Sequence, residues 1–226
     1  METIKIFIGS EPGNQDAEIT LAWSISQTTS GPYEINWMSE GIPCSIWQHW
    51  NKGRDHNIQN TKTGWKTNFS AFRWAIPELC NFKGKAIYLD VDQIVLKDIR
   101  NLWDLPVNDF SYLAINNVRT DVMLLNCDKF ENSWWPSINK MKISGHSQRY
   151  YRQLVEKNTK VGNLDKKYNC LDGEGFDEET SIIHFTKMST QPWKPFPQNI
   201  NYQPHKNKIM QEIWETSFDQ AKKSFL

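Results

Sequence analysis

The stretch Ala86-Ile87-Tyr88-Leu89-Asp90-Val91-Asp92 limits what this chain can fold into more than any other segment. Its unbroken apolar start has the length and composition of a strand buried on both faces, the kind that parallel α/β sheets use. Extended backbone alternates its side chains, so Asp90 and Asp92 are expected to point to one side while Val91 faces the core. In open α/β sheets, ligands sit beyond the carboxyl ends of the strands. Two carboxylates there form a hard-oxygen site for Mn²⁺ or Mg²⁺, with open positions left for phosphate oxygens. An Asp-x-Asp triplet by itself is common in solvated turns. The apolar run before it and Ile94-Val95-Leu96 after it favour the functional reading.

The flanking pattern supports one α/β domain over residues 1–226, with a mostly parallel, Rossmann-like sheet flanked by helices. Ile4–Ile8 is a buried first strand closed by Gly9-Ser10, and Tyr33–Met38 alternates as a second. Between them a helix is expected to bury Ile19, Ala22, Trp23 and Ser26. Residues 41–66 show no sustained periodicity and are expected to form an irregular flap. Asn68–Leu79 has a helical apolar stripe, with Pro77 ending or kinking its last turn. Further strands are expected at Asp109–Ile115, Val122–Leu125 and Ser181–Phe185, and helices at Lys129–Met141, broken early by Pro136, and Tyr150–Glu156. A last helix, about 206–226, is expected to turn Ile209, Ile213, Trp214 and Phe218 to one side.

Composition narrows the function classes. The 26 basic and 26 acidic residues cancel, so nothing suggests the basic surface that a nucleic-acid partner requires. Cys44, Cys80, Cys127 and Cys170 are widely spaced without a CxxC pair, which points to buried thiols rather than a disulfide framework or zinc site. Met1–Lys5 leads straight into a strand and lacks the pattern of a signal peptide, and no run of 18 apolar residues occurs. A cytoplasmic protein without a membrane span is expected. The 11 Trp residues suit both core packing and stacking on sugar faces, and decide nothing alone.

His184 completes the constellation. It lies in the apolar run Ser181-Ile182-Ile183-His184-Phe185, where an imidazole needs a partner, and is the natural third ligand beside Asp90 and Asp92. Several segments then stand in a telling order: Ile4–Gly9, Phe69-Ser70-Ala71-Phe72-Arg73-Trp74-Ala75-Ile76-Pro77-Glu78, Tyr88–Asp92, Val122–Asn126 and His184-Phe185 with Gln191-Pro192-Trp193. Over roughly residues 4–195 this combination resembles glycosyltransferase family 8, the glycogenins and bacterial lipopolysaccharide glycosyltransferases. The resemblance implies a GT-A fold and a hexosyltransferase that uses a UDP-sugar donor with Mn²⁺ and retains anomeric configuration. The acceptor would be a glycan, a lipid-linked sugar or a protein.

By the same resemblance the metal ligands carry over to Asp90, Asp92 and His184, and a donor-binding arginine to Arg73. Ser10 and Glu11 fall where the family contacts uracil and ribose, while Ser70 and Trp193 lie within the matching motifs. Three departures stand out. Where the family often has Asn-Ala-Gly, this chain has Arg119-Thr120-Asp121, and Asp121 stands either to hydrogen-bond the donor sugar or to cap a strand. The family's Asp-Gln pair near the reacting carbon has no clear counterpart, and Gln148 is placed there by spacing alone. A phosphate-binding lysine is replaced by Gln191, with Lys187 close enough in sequence to substitute. Two other readings stay open: a metal-dependent phosphohydrolase, whose downstream Lys and acidic pair cannot be placed, and a non-catalytic sugar- or nucleotide-binding protein of the same fold.

Overall fold

The computed structural model describes residues 1–39, 67–144 and 146–225. The flap expected at 41–66, together with Cys44, lies outside the described residues. Strand β1 (Ile4–Ser10) leads to helix α1 (Gln15–Thr28) and strand β2 (Tyr33–Ser39). A 3₁₀ helix over Asn68–Ala75 runs into the short helix α2 (Ile76–Leu79), and β3 (Lys85–Asp90) and β4 (Gln93–Val95) follow. Next come α3 (Arg100–Trp103), β5 (Tyr112–Ile115), β6 (Arg119–Asn126), α4 (Ile138–Ser144) and α5 (Gln148–Asn158). The short strands β7 (Val161–Asn163), β8 (Cys170–Leu171) and β9 (Ile182–His184) precede the long helix α6 (Lys208–Phe225).

The large sheet has the order β2-β1-β3-β6-β5-β7, and β6 alone in it runs antiparallel to its neighbours. The expected mostly parallel sheet with flanking helices is therefore observed. β1 pairs with β2 on one side and β3 on the other, which makes the carboxyl ends of β1 and β3 a topological switch point where ligands collect. A smaller sheet has the order β4-β9-β8. Only Val91 and Asp92 separate β3 from β4, so the backbone steps from the large sheet to the small one at that corner. Ile6 and Ile8 of β1, Ile87 to Leu89 of β3 and Val122 to Leu125 of β6 are all buried and form the centre of the core. Complete burial of each such aliphatic side chain contributes roughly 1.5–3 kcal/mol.

Several expected elements shift, each for a physical reason. Helix α1 buries Ala17, Thr20, Leu21, Ser24 and Ile25, rather than the stripe Ile19, Ala22, Trp23 and Ser26. Its buried hydroxyls are satisfied internally: Thr20 donates to Asp16 O (2.6 Å), Ser24 donates to Leu21 O (2.8 Å) and Ser24 accepts from Val95 N (3.1 Å). Pro77 begins α2 rather than ending a longer helix, because a first-turn residue needs no N–H partner. The helix expected at 129–141 forms only after Pro136, over Ile138–Ser144. Strand β5 starts at Tyr112, later than the expected Asp109. Helix α6 packs on α1 through Met210, Trp214, Ser217 and Ala221, which leaves Ile209 61% exposed. Cys80, Cys127 and Cys170 are buried free thiols, and no helix of the described residues is long and apolar enough to cross a membrane.

Candidate functional site

The corner between the two sheets gathers the three expected metal ligands. Asp90 ends β3, Asp92 occupies the corner, and His184 ends β9, opposite Gln93 in the β4–β9 ladder. One ligand atom from each of the three lies within 4.8 Å of the other two. Backbone hydrogen bonds from Val91 N to Gly9 O (3.1 Å) and from Phe185 N to Asp92 O (2.9 Å) pin the corner to both sheets. Gly9 lies level with Asp90 across the β1–β3 pair, and a Cβ there would collide with the Tyr88 hydroxyl and the Phe69 ring.

Each ligand has its own support. Asp90 Oδ1 accepts from Arg73 Nη2 at 2.8 Å and from the Tyr88 hydroxyl. Arg73 is 1% exposed; its Nη1 donates to the carbonyl and hydroxyl of Thr120 and lies 3.6 Å from Asp121 Oδ1, while its guanidinium covers the Tyr88 ring at 4.5 Å. Asp92 Oδ2 accepts from Gln191 Nε2 at 3.3 Å, and the same amide donates to Phe185 O at 2.8 Å. His184 Nδ1 is 2.8 Å from Asn169 Oδ1, and Asn169 Nδ2 donates to Asp121 Oδ2 at 3.4 Å.

The crowding of acids sets the electrostatics. Burial pushes Asp90 up to about 7 against the pull of Arg73, with Asp121 and Asp92 adding to the rise. Burial alone would lower His184, but the charge and proximity of Asp92, then Asp121 and Asp90, push it up to about 9. Burial would raise Asp121, yet His184 and Arg73 hold it below the usual carboxylate range. Without a cation, a proton on His184 therefore balances the acids around it.

The residues fit a divalent cation. Oδ1 of Asp92 is buried without a well-directed hydrogen bond and lies 3.0 Å from His184 Nε2, so a positive centre is the missing partner. Among the described residues, Oδ2 of Asp90 accepts no hydrogen bond and is free to ligate. Opposite ligands of an ion bound at ~2.1 Å stand ~4.2 Å apart, close to the observed spread. Two carboxylates and one imidazole suit Mn²⁺ or Mg²⁺ better than a soft thiophilic ion.

The other expected site residues divide into two groups. Asp121 lies inside the site, its side chain 30% exposed and 4.0 Å from His184 Nδ1. Gln148, the first residue of α5, donates to Thr120 Oγ1 at 2.6 Å and so stands one residue behind Arg73. Gln191 faces Asp92, and Ser10 and the buried Glu11 mark the carboxyl end of β1. Ser10 donates to Glu18 of α1. Ser70 lies in a helix-capping pair with Thr67, and Lys187 is exposed just past β9, with its backbone N–H donating to Asp172. Trp193 donates to Asn14 Oδ1 at 2.9 Å and stacks on Trp214 at 5.6 Å, which places it in packing.

Three contributors escape a reading of the sequence: Tyr88, Thr120 and Asn169. Tyr88 lies in an apolar strand run and Thr120 in a variant motif, so neither advertises its polar contacts. Asn169 follows a 3₁₀ turn with no periodic context at all. A pointer to Tyr88 did exist: it shares a strand face with Asp90, two residues away.

Comparison with known proteins bears on the same residues. The model of the family described as Glycosyl transferase family 8 matches residues 42–152. Protein CDI of Arabidopsis thaliana is 24% identical over 185 residues, 80% of this chain and 67% of that protein. The glycosyltransferase GlyE of Streptococcus pneumoniae TIGR4 superposes with a TM-score of 0.62 at 16% identity, over 97% of this chain and 63% of GlyE. This chain thus spans less than two thirds of GlyE. An LgtC active-site mutant matches at a TM-score of 0.66 and 12% identity over 98% of this chain and 96% of LgtC. The galactosyltransferase LgtC in complex with donor and acceptor sugar analogs matches at 0.60 and 11% identity over 94% and 96%. With a family match that includes the Asp90–Asp92 corner, and a mixed α/β fold shared with these enzymes, the chain is glycosyltransferase family 8-like and takes the GT-A fold.

Proposed function

We propose that residues 1–226 act as one GT-A unit that transfers a hexose from a UDP-sugar to an acceptor hydroxyl, with Asp90, Asp92 and His184 holding Mn²⁺ or Mg²⁺. The observation that carries this reading is the convergence of those three side chains at the carboxyl end of β3, beside the switch point. The glycosyltransferase neighbours, one of them solved with donor and acceptor sugar analogs, support it. When bound, the cation offsets charge on the diphosphate and makes the nucleoside diphosphate a better leaving group.

The chain's own residues bind, orient and stabilise. Ser10 and Glu11 lie where a nucleoside would reach past β1, and Lys187, exposed beyond β9, is available to phosphate oxygens. Arg73 acts from beneath: with its Nη1 and Nη2 engaged by Thr120 and Asp90, it fixes the ligand carboxylate rather than reaching outward. Asp121 is ionised and partly open, so it can accept a hydrogen bond from a sugar hydroxyl and stabilise positive charge that develops at the anomeric carbon. Gln148 steadies Thr120 and, through it, Arg73. Retention of configuration follows from the family resemblance.

The test is calorimetry of UDP with and without Mn²⁺, followed by product analysis across a panel of nucleotide sugars. Wild type should bind UDP only with the cation and release UDP from one donor. Asp92→Ala should lose cation-dependent binding yet keep its fold, since Asp92 sits at the corner outside the strands. Unchanged UDP affinity in Asp92→Ala, or release of free phosphate as the first product, would sink the reading.

A further inference from the structure

We infer that Asn169 is a positioning residue: its amide sets which ring nitrogen of His184 faces the cation, and holds Asp121 clear of it. The proposal rests on the reading of Asp90, Asp92 and His184 as metal ligands.

An amide and an imidazole are each ambiguous in which end donates, but here a third group removes the ambiguity. Asn169 Nδ2 lies 3.4 Å from Asp121 Oδ2, and a carboxylate that faces the Arg73 guanidinium through its other oxygen, at 3.6 Å, stands as an acceptor. The NH₂ end of the amide must therefore face Asp121, and the carbonyl end faces His184 Nδ1 at 2.8 Å. A carbonyl accepts only, so Nδ1 carries the hydrogen. The lone pair of the metal-competent ring is then on Nε2, the nitrogen 3.0 Å from Asp92 Oδ1. Metal-bound histidines commonly donate their second N–H to such an acceptor.

The amide is held ready for this task. Asn169 is completely buried, its N–H donates to Lys166 O at 2.9 Å, and its carbonyl accepts from Arg119 Nη2 at 2.6 Å. It immediately precedes β8, whose pairing with β9 sets Leu171 opposite His184. The side chain thus approaches the ring from a backbone fixed on both sides. The second hand of the amide matters as well. Asp121 Oδ2 is only 4.0 Å from Nδ1, so without Asn169 the carboxylate could take the Nδ1 hydrogen itself and abandon Arg73, which it now faces through Oδ1 at 3.6 Å.

Two variants test this by electron paramagnetic resonance titration of free Mn²⁺, which reads binding without any turnover. Asn169→Ala should weaken Mn²⁺ about 10–100-fold, the range typical when an outer partner of a ligand is lost. The exchange Asn169→Asp with Asp121→Asn restores an acceptor for Nδ1, keeps a hydrogen bond between the two positions and preserves net charge. It should bind Mn²⁺ within a few-fold of wild type. A merely structural asparagine would lower the melting temperature but leave the affinity of the folded protein unchanged. Wild-type affinity in folded Asn169→Ala overturns the proposal, and so does an exchange variant that loses tenfold or more. If Asn169→Ala does not fold, the exchange variant alone decides. Failure of wild type to bind Mn²⁺ is a separate result: it removes the three-ligand site, and this proposal with it.

Discussion

Cation binding at this site should expel a proton, and the amount can be worked out. In the cation-free protein His184 titrates at about 9, so at pH 7 only about one molecule in a hundred carries the neutral imidazole that a metal needs. Through His184 alone, affinity for Mn²⁺ should therefore rise about tenfold per pH unit up to about pH 8.5, with close to one proton leaving the imidazole for each ion bound at pH 7. Asp90, pushed up to about 7, adds up to about half a proton at neutrality. Calorimetry at pH 7 in buffers of different ionisation enthalpy measures this release directly. Stability of the cation-free protein should run the other way. A folded pKa above the ordinary 6.5 means stabilisation that is complete below that value and is lost as pH climbs through about 9. The shift corresponds to about 3 kcal/mol, so the melting temperature should fall across that window while the stabilisation by added Mg²⁺ grows. A binding enthalpy independent of buffer at pH 7 would refute the reasoning, because it would mean that His184 is already neutral or is not a ligand.

Other expectations follow from neighbouring contacts. Arg73→Met strands the buried Asp90 carboxylate without its cation and should cost about 3–5 kcal/mol, read from the denaturant midpoint at pH 8. Gly9→Ala should cost about 1–3 kcal/mol by driving Tyr88 off Asp90, and removal of the colliding hydroxyl in Gly9→Ala with Tyr88→Phe should recover part of that loss. Trp193→Ala should lower stability by about 3–5 kcal/mol while the folded protein keeps its UDP affinity; a selective loss of UDP binding would instead place the indole at the donor.

How legible the molecule was depended on whether a residue's task leaves a periodic trace. Strand β3 and its two aspartates were readable because an apolar run that ends in acids admits few structures. His184 was readable for the converse reason, a titratable ring inside an apolar strand. Helix α1 misled because its buried face includes Thr20 and Ser24, whose hydroxyls bond to nearby backbone and so tolerate burial. Helix α6 misled differently, since isoleucine at 209 suggests burial while the stripe that packs on α1 begins one residue later, at Met210. Asn169 and Thr120 could not be seen, because long-range contacts alone give them meaning: Asn169 meets His184 through the β8–β9 pairing, and Thr120 of β6 meets Arg73 of the 3₁₀ helix that precedes α2.

The step from one sheet to the other between β3 and β4 also bears on how the molecule comes into being during synthesis. The large sheet's central pairing of β1, β2 and β3 is complete once the first ninety or so residues have been made. The small sheet must wait for β9, because β4 and β8 pair with that strand rather than with each other. A nascent chain that has reached Asp92 therefore holds two acids of the site next to each other, with the imidazole still to be translated. On the proposed reading, competence for a cation would arrive in one late event, when Ile182–His184 slots between β4 and β8. Ribosome-bound chains that expose residues up to 180 should fold their β1–β3 core and yet ignore Mn²⁺, whereas chains exposed beyond 190 should capture it.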